Sequence, residues 1–317
     1  MKKLLLTCAA LSLAIPAFAK NDALSLIPND AVTVGVVRLA DMRSSPLSST
    51  LFQKTDEIST NGDAAAFLHD AGLQPTKDID VLMVATTPRT ALGTNADVLI
   101  AAEGRFDVDR LTSALVSRGA TRVDNYLLLP NNNDQRNGAA AFPDAHLAVV
   151  GSVDAVKAAL TAYANGGTQF LTASGLARDL GRIDPNATAW AIVDVARARR
   201  IAGGPHISTE SKQGMMLNNA LKTVTTVALW ATDSGDALKL GAFGLSSDPQ
   251  TLQDVEDTLR GALSAMRLAV QDKNPDLVTV LRRFSVSRSD NAVTISGSLP
   301  ASAVRQYMSH HHAAESR

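Results

Sequence analysis

The chain carries its own opening twice. Ile27-Pro28-Asn29-Asp30-Ala31 leads into a β-type run over Val32–Leu39, and Ile183-Asp184-Pro185-Asn186-Ala187 leads into another over Thr188–Val195. Duplication constrains architecture before any motif is read, because each copy must bury its apolar faces in the same way. The copies extend over roughly 25–165 and 182–310. Val81-Leu82-Met83-Val84-Ala85-Thr86 is echoed by Val227-Ala228-Leu229-Trp230-Ala231-Thr232. A polar turn and an alternating strand follow each: Val98, Ile100, Ala102 and Gly104 in the first, Leu238, Leu240, Ala242 and Gly244 in the second. This period of two predicts hairpins with one face buried.

Helical patterns come next. Asp107–Arg118 is amphipathic, and Asp248–Asn274 repeats Leu252, Val255, Leu259, Leu263, Met266 and Val270 at three- and four-residue steps, with Asp248 to cap and Pro249 in the first turn. Each copy then closes with two strands and a helix. Tyr126–Leu129 and His146–Val150 precede a helix opened by Gly151-Ser152. Phe284–Arg288 and Ala292–Ser296, joined by an Asp290-Asn291 turn, precede one from Pro300 to about Met308 opened by Gly297-Ser298. Between the first strand and first hairpin, helices are expected over Pro46–Ile58 and Ala64–Ala71, and over Thr209–Thr223 in the second copy. The order β-α-β-β-α-β plus β-α predicts an α+β protein of two tandem ferredoxin-like repeats, with antiparallel sheets and helices on one face. The expected divisions are an export segment 1–19, a first repeat 20–167, a second repeat 168–309 with a short helix near 174–180, and a loose tail 310–317.

Three of these pieces carry a likeness: the Ile27–Ala31 opening, the Glu103-Gly104-Arg105-Phe106-Asp107 strand-to-helix junction, and the Val149-Val150-Gly151-Ser152 junction. In them the chain resembles exported bacterial proteins of unknown function built from tandem α+β repeats. The resemblance spans most of the mature chain and implies a fold without an activity.

The N-terminus fits export. Met1-Lys2-Lys3 precedes an apolar run from Leu4 to Ala17, and Ala17-Phe18-Ala19 supplies small residues before Lys20. That is a secretory signal peptide cut after Ala19, since the run falls short of the roughly 20 residues a spanning helix needs. Cys8 lies too near Lys3 to be a lipid-attachment site and leaves with the segment. The expected product is periplasmic or secreted in a bacterium, with no membrane span in the mature chain and no cysteine for a disulfide, zinc site or thiol nucleophile. Losing Lys2 and Lys3 leaves 28 basic against 31 acidic residues, and the whole chain has 13 aromatics. Neither value suits a nucleic-acid binder.

Candidate chemistry is sparse. Asn133, Gln135, Asn137, Gly138 and Asp144 match calcium-loop positions 1, 3, 5, 6 and 12, but an amide at position 1 and a single carboxylate do not meet what Ca²⁺ requires. A hairpin loop accounts for 131–138. Asp78 and Asp80, and Asp107 and Asp109, are paired carboxylates explained by a strand entry and a helix start. Arg197, Arg199 and Arg200 beside Gly203-Gly204-Pro205-His206 form the one concentrated basic spot, read chiefly as a solvated helix face and secondarily as an anion site. His69, His146 and His206 stand apart from one another, and His310, His311 and His312 lie in the tail. Walker, G-x-G-x-x-G, Ser-x-x-Lys and nucleophile-elbow patterns are absent. Aligned polar positions differ between copies: Arg38 faces Asp194, Asp41 faces Arg197, Glu103 faces Phe243.

No catalytic, cofactor or metal residue is therefore assigned. The expected function is that of a non-catalytic envelope protein binding a protein partner through sheet edges, the loops 131–138 and 203–214, or the cleft between repeats. The alternatives are a carrier of an apolar ligand lined by Leu229, Trp230, Leu240 and Phe243, and a hydrolase whose Asp, His and Ser residues converge only in three dimensions.

Overall fold

A computed structural model describes residues 22–48, 52, 62–88, 96–130, 138–202, 223–271 and 275–305. The expected export segment 1–19, most of the helices expected over 46–58 and 209–223, residues 131–137 of the expected loop and the expected tail 310–317 lie outside the described residues.

Alternating apolar runs form twelve strands: β1 (Thr33–Arg38), β2 (Ile79–Pro88), β3 (Ala96–Gly104), β4 (Thr121–Val123), β5 (Tyr126–Leu128), β6 (Gly138–Asp144), β7 (Leu147–Ser152), β8 (Ala189–Asp194), β9 (Val224–Asp233), β10 (Ala237–Ser246), β11 (Ser285–Arg288) and β12 (Ala292–Pro300). They make one sheet in the order β11-β12-β10-β9-β8-β1-β2-β3-β7-β6-β5-β4. All of its pairings are antiparallel. The helices are α1 (Leu39–Met42), α2 (Gly62–Ala71), α3 (Pro75–Asp78), α4 (Val108–Ser117), α5 (Val153–Ala164), α6 (Gln169–Ala173), α7 (Val195–Ala202), α8 (Pro249–Val270) and α9 (Pro275–Leu281).

The protein is thus α+β with an antiparallel sheet, but its strand order departs from the ferredoxin-like one. A single crossover helix would bring the second strand in parallel to the first and leave room for another between them. Here the link from Arg38 to Ile79 contains three helices among its described residues and returns the chain antiparallel, so β1 pairs directly with β2. Helices also cover both faces. On the front, the 3₁₀ turn Asp22–Leu26, α5, Phe170 of α6 and the 3₁₀ turn Ala177–Arg182 pack on Val34, Val36, Met83, Leu99, Val149 and Ile192, the main core. On the back, α2 and α4 pack against Ala102, Phe142 and Ala148 at one end. At the other end Leu252 and Leu263 of α8 pack against Val286 and Val293.

Local chemistry explains the element boundaries. Asp107 caps α4 by accepting from Arg110 N–H, and Ser152 caps α5 by accepting from Ala155 N–H. Ser298 has no such role: Gly297-Ser298 lies inside β12, opposite Leu240 and Lys239, and helical backbone begins only at 301. The ten-residue β10 gives β12 a partner as far as Pro300. The expected helix near 174–180 is instead α6 followed by the 3₁₀ turn.

Two expectations about faces also change. The front residues of the hairpin strands are Leu99 and Ala101, and Phe243 and Leu245; Val98, Ile100, Leu238 and Leu240 point to the back. The echo of Val81–Thr86 with Val227–Thr232 sets Met83 against Leu229, yet Met83 is buried and Leu229 is 57 % exposed. Thr226–Ala231 matches in burial, because a slip of one residue exchanges every side chain between faces.

Candidate functional site

The register places one apolar row across the middle of the back face. From β10 to β7 it runs Ala242, Leu229, Ala191, Gly35, Val84, Ile100, Val150, each directly opposite the next. A second row beside it runs Leu240, Ala231, Ala189, Val37, Leu82, Ala102, Ala148. Neither contains a charged or hydrogen-bonding side chain. The floor is low where β1 meets β8, at Gly35 and Ala191, and rises on either side at Val84 and Leu229. Val84, Val98, Ile100 and Val150 are 41–47 % exposed and Leu229 57 %. With strands about 4.8 Å apart, Leu229 and Val150 are about 24 Å apart across the sheet.

The helices explain why the row is open. Those described on the back with clustered contacts lie toward the flanks of the sheet, where Ile79, Ala102 and Phe142 contact α2 and α4, and Ile295 contacts α8. The strands between present their alternate residues to the back, where among the described residues no packed layer covers Val84 or Leu229. Such a surface desolvates readily and has no group for proton transfer.

The residues singled out in the sequence do not converge. Asp78 accepts from Gln74 N–H at 2.7 Å, whereas Asp80 pairs with Arg43 at 2.7 Å. Asp107 is spent on its cap, and Asp109 is exposed on α4, beside a cavity of about 270 Å³ shared with Arg122, Asp124 and Phe142. Gly138 and Asp144 fall in one extended strand, and Asp144 accepts from Tyr163 Oη–H and His146 N–H, so this described half does not follow a calcium loop, while Asn133, Gln135 and Asn137 lie outside the described residues. His146 Nδ1 lies 3.1 Å from Gly104 O. His69 is exposed beside Asp70, whose carboxyl is held below the ordinary range by hydrogen bonds from Arg118 first and His69 second. The N–H of Arg197 donates to Asp194 at the start of α7, and the glycines after it, with His206, lie outside the described residues. No group of three His, Asp or Glu residues able to hold a metal occurs among the described residues.

The four residues expected to line one cavity divide between faces. Trp230 and Phe243 pack together on the front with ring centroids 6.1 Å apart, while Leu229 and Leu240 belong to the back. Alternation makes this unavoidable for neighbours such as Leu229 and Trp230. The open row itself was missed in the sequence. Its signal was that both hairpin strands are apolar on both faces, as in Val81–Ala85 and Val98–Ala102.

No family model matches the chain, and no curated protein matches it. Among solved structures it is similar to three crystal forms of TP0453. Form I gives 9 % identity and a TM-score of 0.45 over 92 % of this chain and 98 % of that one. Forms III and IV give 10 % identity with TM-scores of 0.46 and 0.47 over 92 % of this chain and 99 % and 98 % of theirs. Among the described residues, no helix is long and apolar enough to cross a membrane.

Proposed function

We propose that the protein is an exported, non-catalytic binding protein that takes a protein partner on the back of its sheet, across the junction of β1 and β8. The observation that carries this reading is the uncharged row through Leu229, Gly35 and Val84, open to solvent in the middle of the sheet. Contiguous exposed apolar surface of this kind marks interaction sites in soluble proteins.

The chain is further read as two copies of one unit. Outward from the junction the strands follow one order, β2, β3, β7, β6 on one side and β9, β10, β12, β11 on the other. Gly35 and Ala191, which correspond when Val32 is laid on Thr188, pair with each other. A local twofold axis between them makes the binding face the inter-repeat surface, with Val84 and Leu229 as its two walls.

The test is a crosslinking pull-down from the envelope fraction, run beside a broad hydrolase panel, with the wild type and a Val84→Lys/Leu229→Lys double variant. The wild type should capture one specific partner without turnover, and the double variant should lose it while keeping its thermal transition. Turnover abolished by replacing a single Asp, His or Ser would overturn the reading. Intact mass of the exported product should place Lys20 at its N-terminus.

A further inference from the structure

We infer that the outer edge of β11 is a second binding site, which takes an acidic, extended segment of a partner protein as an added strand and pairs its carboxylates with Arg260 and Arg267. This site is separate from the open face proposed above, and goes beyond it.

The two ends of the sheet are built differently. On the far side of β7 lies β6, and β5 pairs along its outer edge through Leu127–Ala140 and Leu128–Ala139. On the far side of β12 lies β11, and among the described residues the sheet order ends there. In the β11–β12 hairpin, Ser289 N–H donates to Ala292 O across the turn, which directs Ser287 and Ser285 toward β12. Backbone groups alternate along a strand, so those of Phe284, Val286 and Arg288 point outward.

Side chains rather than a strand meet these carbonyls. Arg260 Nη2 donates to Val286 O at 3.1 Å, and Arg267 Nη2 donates to Phe284 O at 3.1 Å. Both arginines come from α8, seven residues apart on one face. They flank a cavity of about 330 Å³, lined also by Leu263, Ser264, Ser285 and Val286. Guanidinium caps of this kind keep an edge from pairing indiscriminately. An incoming strand would replace each cap with a backbone N–H; Arg260 would keep Glu256 at 2.7 Å and Arg267 would keep Leu281 O at 3.0 Å, each with further N–H groups free to turn toward the new strand. A carboxylate on the incoming strand gives those N–H groups a charged acceptor, so an acidic segment gains charge-assisted hydrogen bonds on docking that a neutral one lacks.

The surrounding charge agrees. Arg282 and Arg283 precede β11 and Arg288 ends it, so five arginines border the edge. Glu256 bridges Arg260 and Arg288 at 2.7 and 3.0 Å, and Asp257 on α8 and Asp290 in the turn are the acidic residues beside them in sequence. The balance is positive. The sheet's other edge, β4, is Thr121-Arg122-Val123 and brings a further arginine, so a second copy of this chain is the wrong occupant.

The probe is a fluorescein-labelled hexapeptide of alternating Glu and Val, titrated into the full chain by anisotropy. Saturable binding is expected, weakened about tenfold or more by Arg260→Gln/Arg267→Gln, as loss of charge-assisted hydrogen bonds implies. The same peptide N-methylated at alternate residues keeps its charge but cannot pair with the strand, and should not bind. Amide exchange should slow at Val286 and Arg288. Equal binding of the methylated peptide, absence of saturation, or edge-to-edge dimers in sedimentation would each overturn the proposal. Val84→Lys/Leu229→Lys should bind the peptide like the wild type, so the two sites fail or stand independently.

Discussion

Asp248 shows how much one side chain can fix. Its carboxylate accepts from Gln250 N–H at 3.1 Å and from the Thr251 hydroxyl at 2.6 Å, while Thr223 donates in turn to Thr251. The Thr251 hydrogen bond, more than the backbone ones, holds the Asp248 carboxyl below its ordinary pKa, against an opposing contribution from burial. A folded-state pKa below the unfolded one stabilises the fold above the unfolded value, and this is lost as pH falls through the folded value. Thr251→Val should move the Asp248 titration, followed by carboxyl carbon NMR, back toward the ordinary range and reduce the loss of stability in acid. At Gly104, close approach decides the residue type, because an added Cβ would collide with the backbone carbonyl of Asp78. Gly104→Ala should destabilise by about 1–3 kcal/mol, the range for overpacking, measured by urea denaturation.

At the scale of elements, caps and pleats matter more than propensity. Asp107→Ala removes the acceptor for Arg110 N–H at the start of α4 and should cost about 1 kcal/mol in the same assay. Leu263 is 6 % exposed and joins α8 to Val286 and Val293, so Leu263→Ala should cost about 2–5 kcal/mol. The long helix was legible, since Pro249–Val270 lies within the span its periodicity gives. Strand β6 was not, because Gly138-Ala139-Ala140-Ala141-Phe142-Pro143-Asp144 has low strand propensity and is held extended by β5 and β7 on either side. The continuation of β12 past Gly297-Ser298 has the same cause, a long partner in β10 overriding a local helix signal.

At the scale of the whole molecule, the pairing of β1 with β8 joins both halves into one sheet and creates the open face. A Cβ on Gly35 would meet Ala191 Cβ at 3.8 Å, an ordinary contact. Gly35→Ala should therefore leave the melting temperature within about 2 °C of the wild type, as a change of no more than about 0.5 kcal/mol implies. The sequence by itself determined the local elements: period-two runs and capped periodic segments specify strands and helices through interactions a few residues long. It also displayed the mixture of helix and antiparallel strand, and the lack of linear catalytic motifs. Only the tertiary structure decided which strands pair, that β1 lies beside β2 and β8, and that Leu229 and Val84 share an exposed face with Gly35 between them. The reason is physical. Strand pairing joins residues as far apart as Gly35 and Ala191, and its register fixes which alternate side chains face solvent, information carried by no short window of the chain.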